Sequence, residues 1–177
     1  MTTCSTLAQI YFTDACSRLA VRGNYSVTLV DALDTIAVIG DKIRFREGIR
    51  LIEQHVHFDT LTTRVSLFEV TIRMLGGLLS CHLFASDPQS RVYLEEYDGS
   101  LLRLATSLGD ILMPAFNTST GIPYNFIHFE KGPCTDMTGT CTACAGSLIL
   151  EFGTLSRLTG NATYEVNTTM FAVHSKY

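Results

Sequence analysis

The sequence has 177 residues, of which 46% are hydrophobic and only 17% are charged, and its formal net charge is −4. This length suffices for one compact domain with its own core, and the apolar composition excludes a disordered chain. The 13 Lys and Arg residues form no basic cluster, which argues against nucleic-acid binding. The most apolar stretch, 74–85, is broken by Gly76, Gly77, Cys81 and His82, so it is too short to span a membrane. The composition therefore predicts a soluble globular protein.

The N-terminus and the sequons give opposite indications about the cell compartment. The first ten residues lack the basic and apolar regions of a secretory signal peptide. Four Asn-x-Ser/Thr sequons, which are typical of secretory-pathway proteins, nevertheless occur at Asn24, Asn117, Asn161 and Asn167. Either the protein is cytosolic, or the numbering starts downstream of a missing signal.

Apolar periodicity predicts five helices followed by the start of a sixth. Their ranges are 28–40, 41–56, 66–85, 100–112 and 144–158, with the last beginning in 162–173. The third and fifth are apolar nearly all round, which is typical of a helix buried on all sides, whereas the others have a polar face. This alternation predicts an all-α fold with an inner and an outer layer of helices.

A long connection between Pro114 and Cys144 is the main irregular segment. It is too apolar to be disordered, and loops of this length in a compact domain are usually functional. Its 122–129 stretch could form a short hairpin. We therefore expect an ordered loop that lies over a site.

Acidic residues on the apolar helices are the main candidates for chemistry. Glu69 precedes Arg73 by four residues in the third helix, so both project from the same face. The pair is either a structural ion pair or the wall of a polar cavity. A carboxyl group in a partly apolar pocket has a raised pKa, as a general acid requires. Asp31 and Asp34 form a second acidic pair on the first helix, and Glu151 lies alone in the fifth.

Four residues imitate a zinc-binding set: His128, Cys134, Cys141 and Cys144. Only Cys141 and Cys144 have the C-x-x-C spacing, and no second such pair follows. A disulfide or ordinary buried thiols is the favoured interpretation, and a small zinc-stabilised helical interaction domain is kept as an alternative. The Gly76-Gly77 pair falls inside a helix, so it predicts close helix packing rather than a phosphate-binding loop.

Six motifs, taken in order, resemble the N-terminal part of the class I α-1,2-mannosidases, glycoside hydrolase family 47. They are LVDALDT at 29–35, LFEVTIRMLGGLL at 67–79, LMPAFNT at 112–118, TGIPY at 120–124, TCTACAG at 140–146 and LEFGTLSRLTG at 150–160. The resemblance covers about residues 23–165. The start at Asn24 and the TCTACAG segment are similar to the ER degradation-enhancing (EDEM) branch of this family.

The resemblance implies a fold, a reaction and a set of site residues. The fold is an (α/α)7 toroid of helical hairpins, and the reaction is inverting hydrolysis of terminal α-1,2-linked mannose on N-glycans, with a bound Ca²⁺. Such chemistry needs a carboxylic acid to protonate the leaving oxygen and a second carboxylate to activate water. Glu69 matches the general acid and Arg73 its neighbour in the cavity, while Asp34 and Glu151 match substrate-binding acids. High-mannose glycans on misfolded glycoproteins in the endoplasmic reticulum are the implied partners.

The chain also departs from the family pattern in its length. The remaining catalytic carboxylates and the threonine that contacts Ca²⁺ belong to later hairpins, and this sequence stops after roughly three. We therefore expect residues 1–177 to be a single N-terminal part of a catalytic domain, inactive by itself. The alternative is a non-catalytic module of the same fold that binds mannose or client proteins.

Overall fold

A computed structural model describes residues 26–58, 64–136 and 139–174, so the sequon at Asn24 lies outside the described residues. The helices are α1 Val27–Ile39, α2 Lys42–His55, α3 Leu67–Ser86, α4 Ser100–Leu112, α5 Thr142–Gly146, α6 Ile149–Thr159 and α7 Thr163–His174. The strands are β1 Arg64–Ser66, β2 Phe126–His128 and β3 Gly132–Pro133, and a 3₁₀ turn, Met113–Phe116, follows α4.

The first two helices begin and end where local chemistry dictates. Gly40 ends α1 in the left-handed region, with φ of 86°, and its N–H donates to the carbonyls of Ile36 and Ala37. Asp41 then caps α2, because its carboxylate accepts a 3.0 Å hydrogen bond from the backbone N–H of Arg44. The predicted helices 28–40 and 41–56 are therefore confirmed to within a residue or two.

Six of the helices pair into three hairpins that form two layers. Helices α1, α3 and α6 lie in one layer, which we call the inner layer. Each packs against the helix that pairs with it in the second or outer layer, α2, α4 and α7 respectively. Gly77 of α3 lies directly against Val30 of α1, and Gly109 of α4 lies directly against Leu155 of α6. The predicted all-α fold with two layers is confirmed, and Gly77 bears out the expectation of close helix packing.

Helix α3 is not buried on all sides, so that prediction is wrong. Its centre packs against α1, α4 and α6, but one stripe of residues along it stays open. That stripe includes Glu69, Arg73, Gly76, Ser80 and Leu83. By length and composition α3 could cross a membrane, yet half of its most apolar window is buried inside the protein. The apolar residues of α3 thus pack into the core on three sides. The fourth side is exposed and carries the charged residues Glu69 and Arg73 near its N-terminal end.

The predicted helix 144–158 is interrupted, because α5 ends at Gly146 and α6 begins only at Ile149. Glycine and serine are weak helix formers, and Gly146-Ser147 lies at the break. The backbone N–H of Phe152 donates to the carbonyl of Leu148 over 3.1 Å, which forms the first turn of α6.

A small antiparallel sheet ties the long connection to the start of α3. Its strand order is β1-β2-β3, with Val65 opposite Ile127 and Ile127 opposite Pro133. The backbone N–H of Leu67 also donates to the carbonyl of Asn125 over 2.9 Å. The hairpin predicted near 122–129 is present as β2 and β3, and its pairing with β1 anchors the loop two residues before Glu69.

Candidate functional site

An open cluster of three charged side chains joins α1 and α3. The Nε–H of Arg73 donates to Oε2 of Glu69 over 2.7 Å, and Nη1 of Arg73 donates to Oδ2 of Asp31 over 3.0 Å. The side chains of Arg73, Glu69 and Asp31 are 45%, 51% and 43% exposed. One arginine therefore holds two carboxylates from neighbouring inner-layer helices at a surface that a polar ligand can reach.

The backbone that carries this cluster is irregular. Ser66 caps α3, since its hydroxyl accepts a 3.4 Å hydrogen bond from the backbone N–H of Glu69. The residues Thr71–Leu75 then form a π-helical turn that includes Arg73. Such turns inside α-helices occur frequently at functional sites. The hydroxyl of Thr71 is buried in this turn without a hydrogen-bond partner, which adds to the free-energy cost of the π-helical turn.

The charge environment of Glu69 differs from the sequence-based expectation. The hydrogen bond to Glu69, and secondarily that to Asp31, raises the pKa of Arg73, so this guanidinium stays charged. Glu69 thus lies beside a permanent cation and is half exposed rather than enclosed in a partly apolar pocket. Of the two interpretations left open, the buried structural ion pair does not fit, because both side chains are about half exposed.

Glu151 has the enclosed environment that was expected for Glu69. Its Oε2 atom is buried without a hydrogen-bond partner, and burial raises the pKa of its carboxyl group. A Cβ placed on Gly76 would lie 3.5 Å from Cγ of Glu151, so this acid borders the same open stripe of α3 as Glu69. It lines a cavity of about 630 Å³. The lining also includes Leu79, Ser80, Leu83, Leu150 and Thr154.

Asp34 lies apart from this cluster. It is half-buried on α1 and accepts a 3.4 Å hydrogen bond from the hydroxyl of Thr35. Its charge adds to the effect of burial in raising the pKa of the Cys81 thiol on α3. Among the described residues, Asp31 rather than Asp34 completes the cluster with Arg73. The acidic pair on α1 indicated this region, but the rotation of the helix decided which member reaches the arginine.

The zinc alternative is wrong for the described residues. Cys141 and Cys144 are joined in a disulfide, which removes two of its four ligands, and Cys134 is a free thiol. In 26–58, 64–136 and 139–174, no group of three or more His, Cys, Asp or Glu could hold a metal ion. The described residues therefore offer no such cluster of side chains for the Ca²⁺ that the family resemblance implies.

Two carboxylates and an arginine from neighbouring helices of one layer thus lie at an open surface, next to the cavity that Glu151 lines. Residues 12–175 match Glycosyl hydrolase family 47, and the chain belongs to that family. This confirms the resemblance drawn from the six motifs.

The relatives and a solved structure agree with this assignment. An ER degradation-enhancing alpha-mannosidase-like protein 1 from Schizosaccharomyces pombe is 46% identical over 148 residues, which is 83% of this chain and 19% of that protein. Alpha-mannosidase I MNS5 from Arabidopsis thaliana is 45% identical over 141 residues, covering 79% of this chain and 24% of the relative. The structure of an alpha-1,2-mannosidase from Trichoderma reesei superposes with a TM-score of 0.74 at 31% identity, and the match covers 85% of this chain and 32% of that one.

These comparisons bear on both the fold and the extent of the chain. The likeness to the Trichoderma reesei enzyme confirms that the helical hairpins are part of the α-1,2-mannosidase toroid. The chain spans about a fifth to a quarter of the length of the curated relatives given above.

Proposed function

We propose that this chain supplies the general-acid wall of an EDEM-like α-1,2-mannosidase, which trims terminal mannose from N-glycans of misfolded glycoproteins. The observation that carries the proposal is the open Glu69–Arg73–Asp31 cluster on the inner layer of helices. In this family-based assignment Glu69 donates a proton to the leaving glycosidic oxygen. The relatives named ER degradation-enhancing support a role in the endoplasmic reticulum and in the degradation of misfolded glycoproteins.

The neighbouring side chains suit the recognition of a sugar. Arg73 and Asp31 present charged donors and acceptors at an exposed surface, where the hydroxyl groups of a mannose residue can replace water. Glu151 adds a carboxyl group to the lining of the neighbouring cavity, and burial raises the pKa of that group. Asp34, although outside the cluster, borders the same helix pair and is retained as a candidate substrate-binding residue.

The isolated chain is expected to be inactive. Inverting hydrolysis needs a second carboxylate that activates water from the opposite face of the sugar. The resemblance assigns that second group, and the contact with Ca²⁺, to hairpins beyond these three. One proton donor without its partner base does not complete the reaction.

The test combines this chain with a longer host. In a chimaera, the chain replaces the matching segment of the Arabidopsis thaliana relative, and mannose released from a high-mannose N-glycan is measured. Glu69→Gln is expected to lower kcat by about 10²- to 10⁴-fold, which is the usual contribution of a general acid. The 177-residue chain alone is expected to release no mannose.

The matched control is Glu53→Gln, because Glu53 is an exposed glutamate on the outer helix α2 and should leave turnover unchanged. Equal turnover of the Glu69→Gln and Glu53→Gln chimaeras would remove Glu69 from the reaction. Mannose release by the isolated chain that disappears in Glu69→Gln would contradict the expectation that the isolated chain is inactive.

A second candidate function is a module that binds mannose or client proteins without cleaving the glycan. The observation in its favour is the 2.7 Å ion pair, because the Glu69 carboxyl group is already engaged by Arg73 rather than turned freely towards a ligand. Under this alternative the chimaera binds a mannose oligosaccharide without releasing mannose, and Glu69→Gln has no effect on the degradation of clients.

A further inference from the structure

The C-x-x-C pair at the start of α5, with Cys141 directly before the helix and Cys144 within it, is a feature that the glycosidase chemistry leaves unused. Cys141 and Cys144 form a disulfide with a sequence separation of three. Cys141 is exposed and Cys144 is half-buried, so the first sulfur is open to a reactant and the second is partly shielded. From this arrangement we propose that Cys141 and Cys144 form a thiol–disulfide exchange site for polypeptides that carry two thiols.

The bond contributes little to holding this segment together. It closes a loop of only four residues, and the stabilisation that a disulfide confers falls as its loop shortens. The same turn is already fixed by a 3.0 Å hydrogen bond from the N–H of Ala145 to the carbonyl of Cys141. Ala145 is also buried, which anchors the turn by packing. The segment can therefore keep its conformation in the dithiol state.

The surroundings of Cys141 admit another polypeptide. Gly139, Thr142 and Ala143 are exposed, and all three are small and uncharged. Exchange requires the attacking thiolate to approach the target sulfur directly. A protein thiol can meet this requirement here, since no long or charged side chain lies next to Cys141 in the sequence from 139 to 143.

The exchange balances in two steps. A thiolate of the incoming polypeptide attacks Sγ of Cys141, the bond between Cys141 and Cys144 breaks, and Cys144 leaves as a thiolate that takes a proton from water. The second thiolate of the polypeptide then attacks the first sulfur of the same polypeptide, which is bonded to Cys141 in the mixed disulfide. This forms the disulfide of the polypeptide and releases Cys141 as a thiolate. The polypeptide is oxidised by two electrons and the pair is reduced by two. A disulfide such as oxidised glutathione restores the pair by the reverse steps.

A backbone hydrogen bond favours Cys141 as the leaving group in the second step. The N–H of Cys144 donates to Sγ of Cys141 over 2.9 Å. A hydrogen bond to a charged sulfur is stronger than one to a neutral sulfur, so it stabilises the departing thiolate. Cys134, which is a free and half-buried thiol, provides the internal comparison.

The first experiment measures the redox equilibrium of the pair in the 177-residue chain. The protein is equilibrated in buffers of varied reduced-to-oxidised glutathione ratio, quenched in acid and alkylated. The peptide that contains Cys141 and Cys144 is then quantified by mass spectrometry. The pair is expected to pass from mostly oxidised to mostly reduced within this series, with an unchanged far-UV circular dichroism spectrum. A pair that stays oxidised throughout, or a chain that unfolds on reduction, would identify a structural disulfide and overturn the proposal.

The second experiment tests the assignment of the attacked sulfur. In Cys144→Ser, Cys141 is expected to form a mixed disulfide with oxidised glutathione about tenfold faster than Cys134 does in the same chain. Cys134→Ser is the matched control and should still oxidise a reduced two-cysteine peptide stoichiometrically, whereas Cys141→Ser should not. Equal rates at Cys141 and Cys134, or peptide oxidation by Cys141→Ser, would contradict the site. Neither measurement depends on mannosidase activity. Failure of the thiol–disulfide exchange proposal can therefore be distinguished from failure of the glycosidase proposal.

Discussion

Replacing Gly77 with alanine is expected to destabilise the protein relative to the same replacement at its neighbour, Gly76. A Cβ on Gly77 would lie 2.9 Å from Cγ1 and 3.1 Å from the backbone oxygen of Val30. Side-chain rotation can relieve the first contact, but the second requires α1 to move away from α3. A Cβ on Gly76 would instead meet Cγ of Glu151 at 3.5 Å, an ordinary van der Waals distance at the edge of the cavity.

The comparison of the two variants isolates the steric cost. Alanine is favoured over glycine inside a helix by about 1 kcal/mol, and this gain is common to both positions. Overpacking a well-filled contact typically costs about 1–3 kcal/mol. Gly77→Ala should therefore be about 1–3 kcal/mol less stable than Gly76→Ala. At a urea dependence of about 2 kcal/mol per molar, the unfolding midpoints should differ by roughly 0.5–1.5 M.

Urea unfolding followed by circular dichroism measures this difference, with the slope m compared between variants so that a change in midpoint reports stability. A midpoint for Gly77→Ala that equals or exceeds that of Gly76→Ala would refute the close contact between α1 and α3. It would also show that the glycine pair serves the cavity rather than the packing of the inner layer.

Two further predictions concern pH. Burial lowers the pKa of His82 below 6.5, so the unfolded chain binds this proton more readily and stability is lost as the pH falls below that value. His82→Gln should flatten the fall in unfolding free energy between about pH 7 and pH 5, whereas His55→Gln, an exposed control on α2, should not. Burial raises the pKa of Glu151 above 4.5, so its stability contribution is lost as the pH rises through the raised pKa. Glu151→Gln should raise Tm at about pH 7 and leave it unchanged at about pH 4, and equal shifts at both values would contradict the burial of this carboxyl.

Much of the fold could be predicted from the sequence, because helix boundaries depend on local chemistry. Gly40 and Asp41 end one helix and begin the next through their own backbone and side-chain hydrogen bonds. The strand Arg64–Ser66 could not be predicted in this way, since three residues carry too little periodicity and its partner strand, Phe126–His128, lies far along the chain.

In the candidate site, too, some features could be predicted from local sequence and others depended on packing. The i, i+4 spacing determined that Glu69 and Arg73 share a face, because that relation is fixed within one helix. The choice of Asp31 over Asp34 as the second partner depended on how α1 is rotated against α3, which only packing decides. The assignment of the enclosed carboxyl to Glu151 had the same origin, since burial is a property of neighbouring elements and not of a residue's own sequence context. The sequence by itself thus determined the family, the helices and the residues available for chemistry, and the tertiary structure decided which of them meet and which are shielded from water.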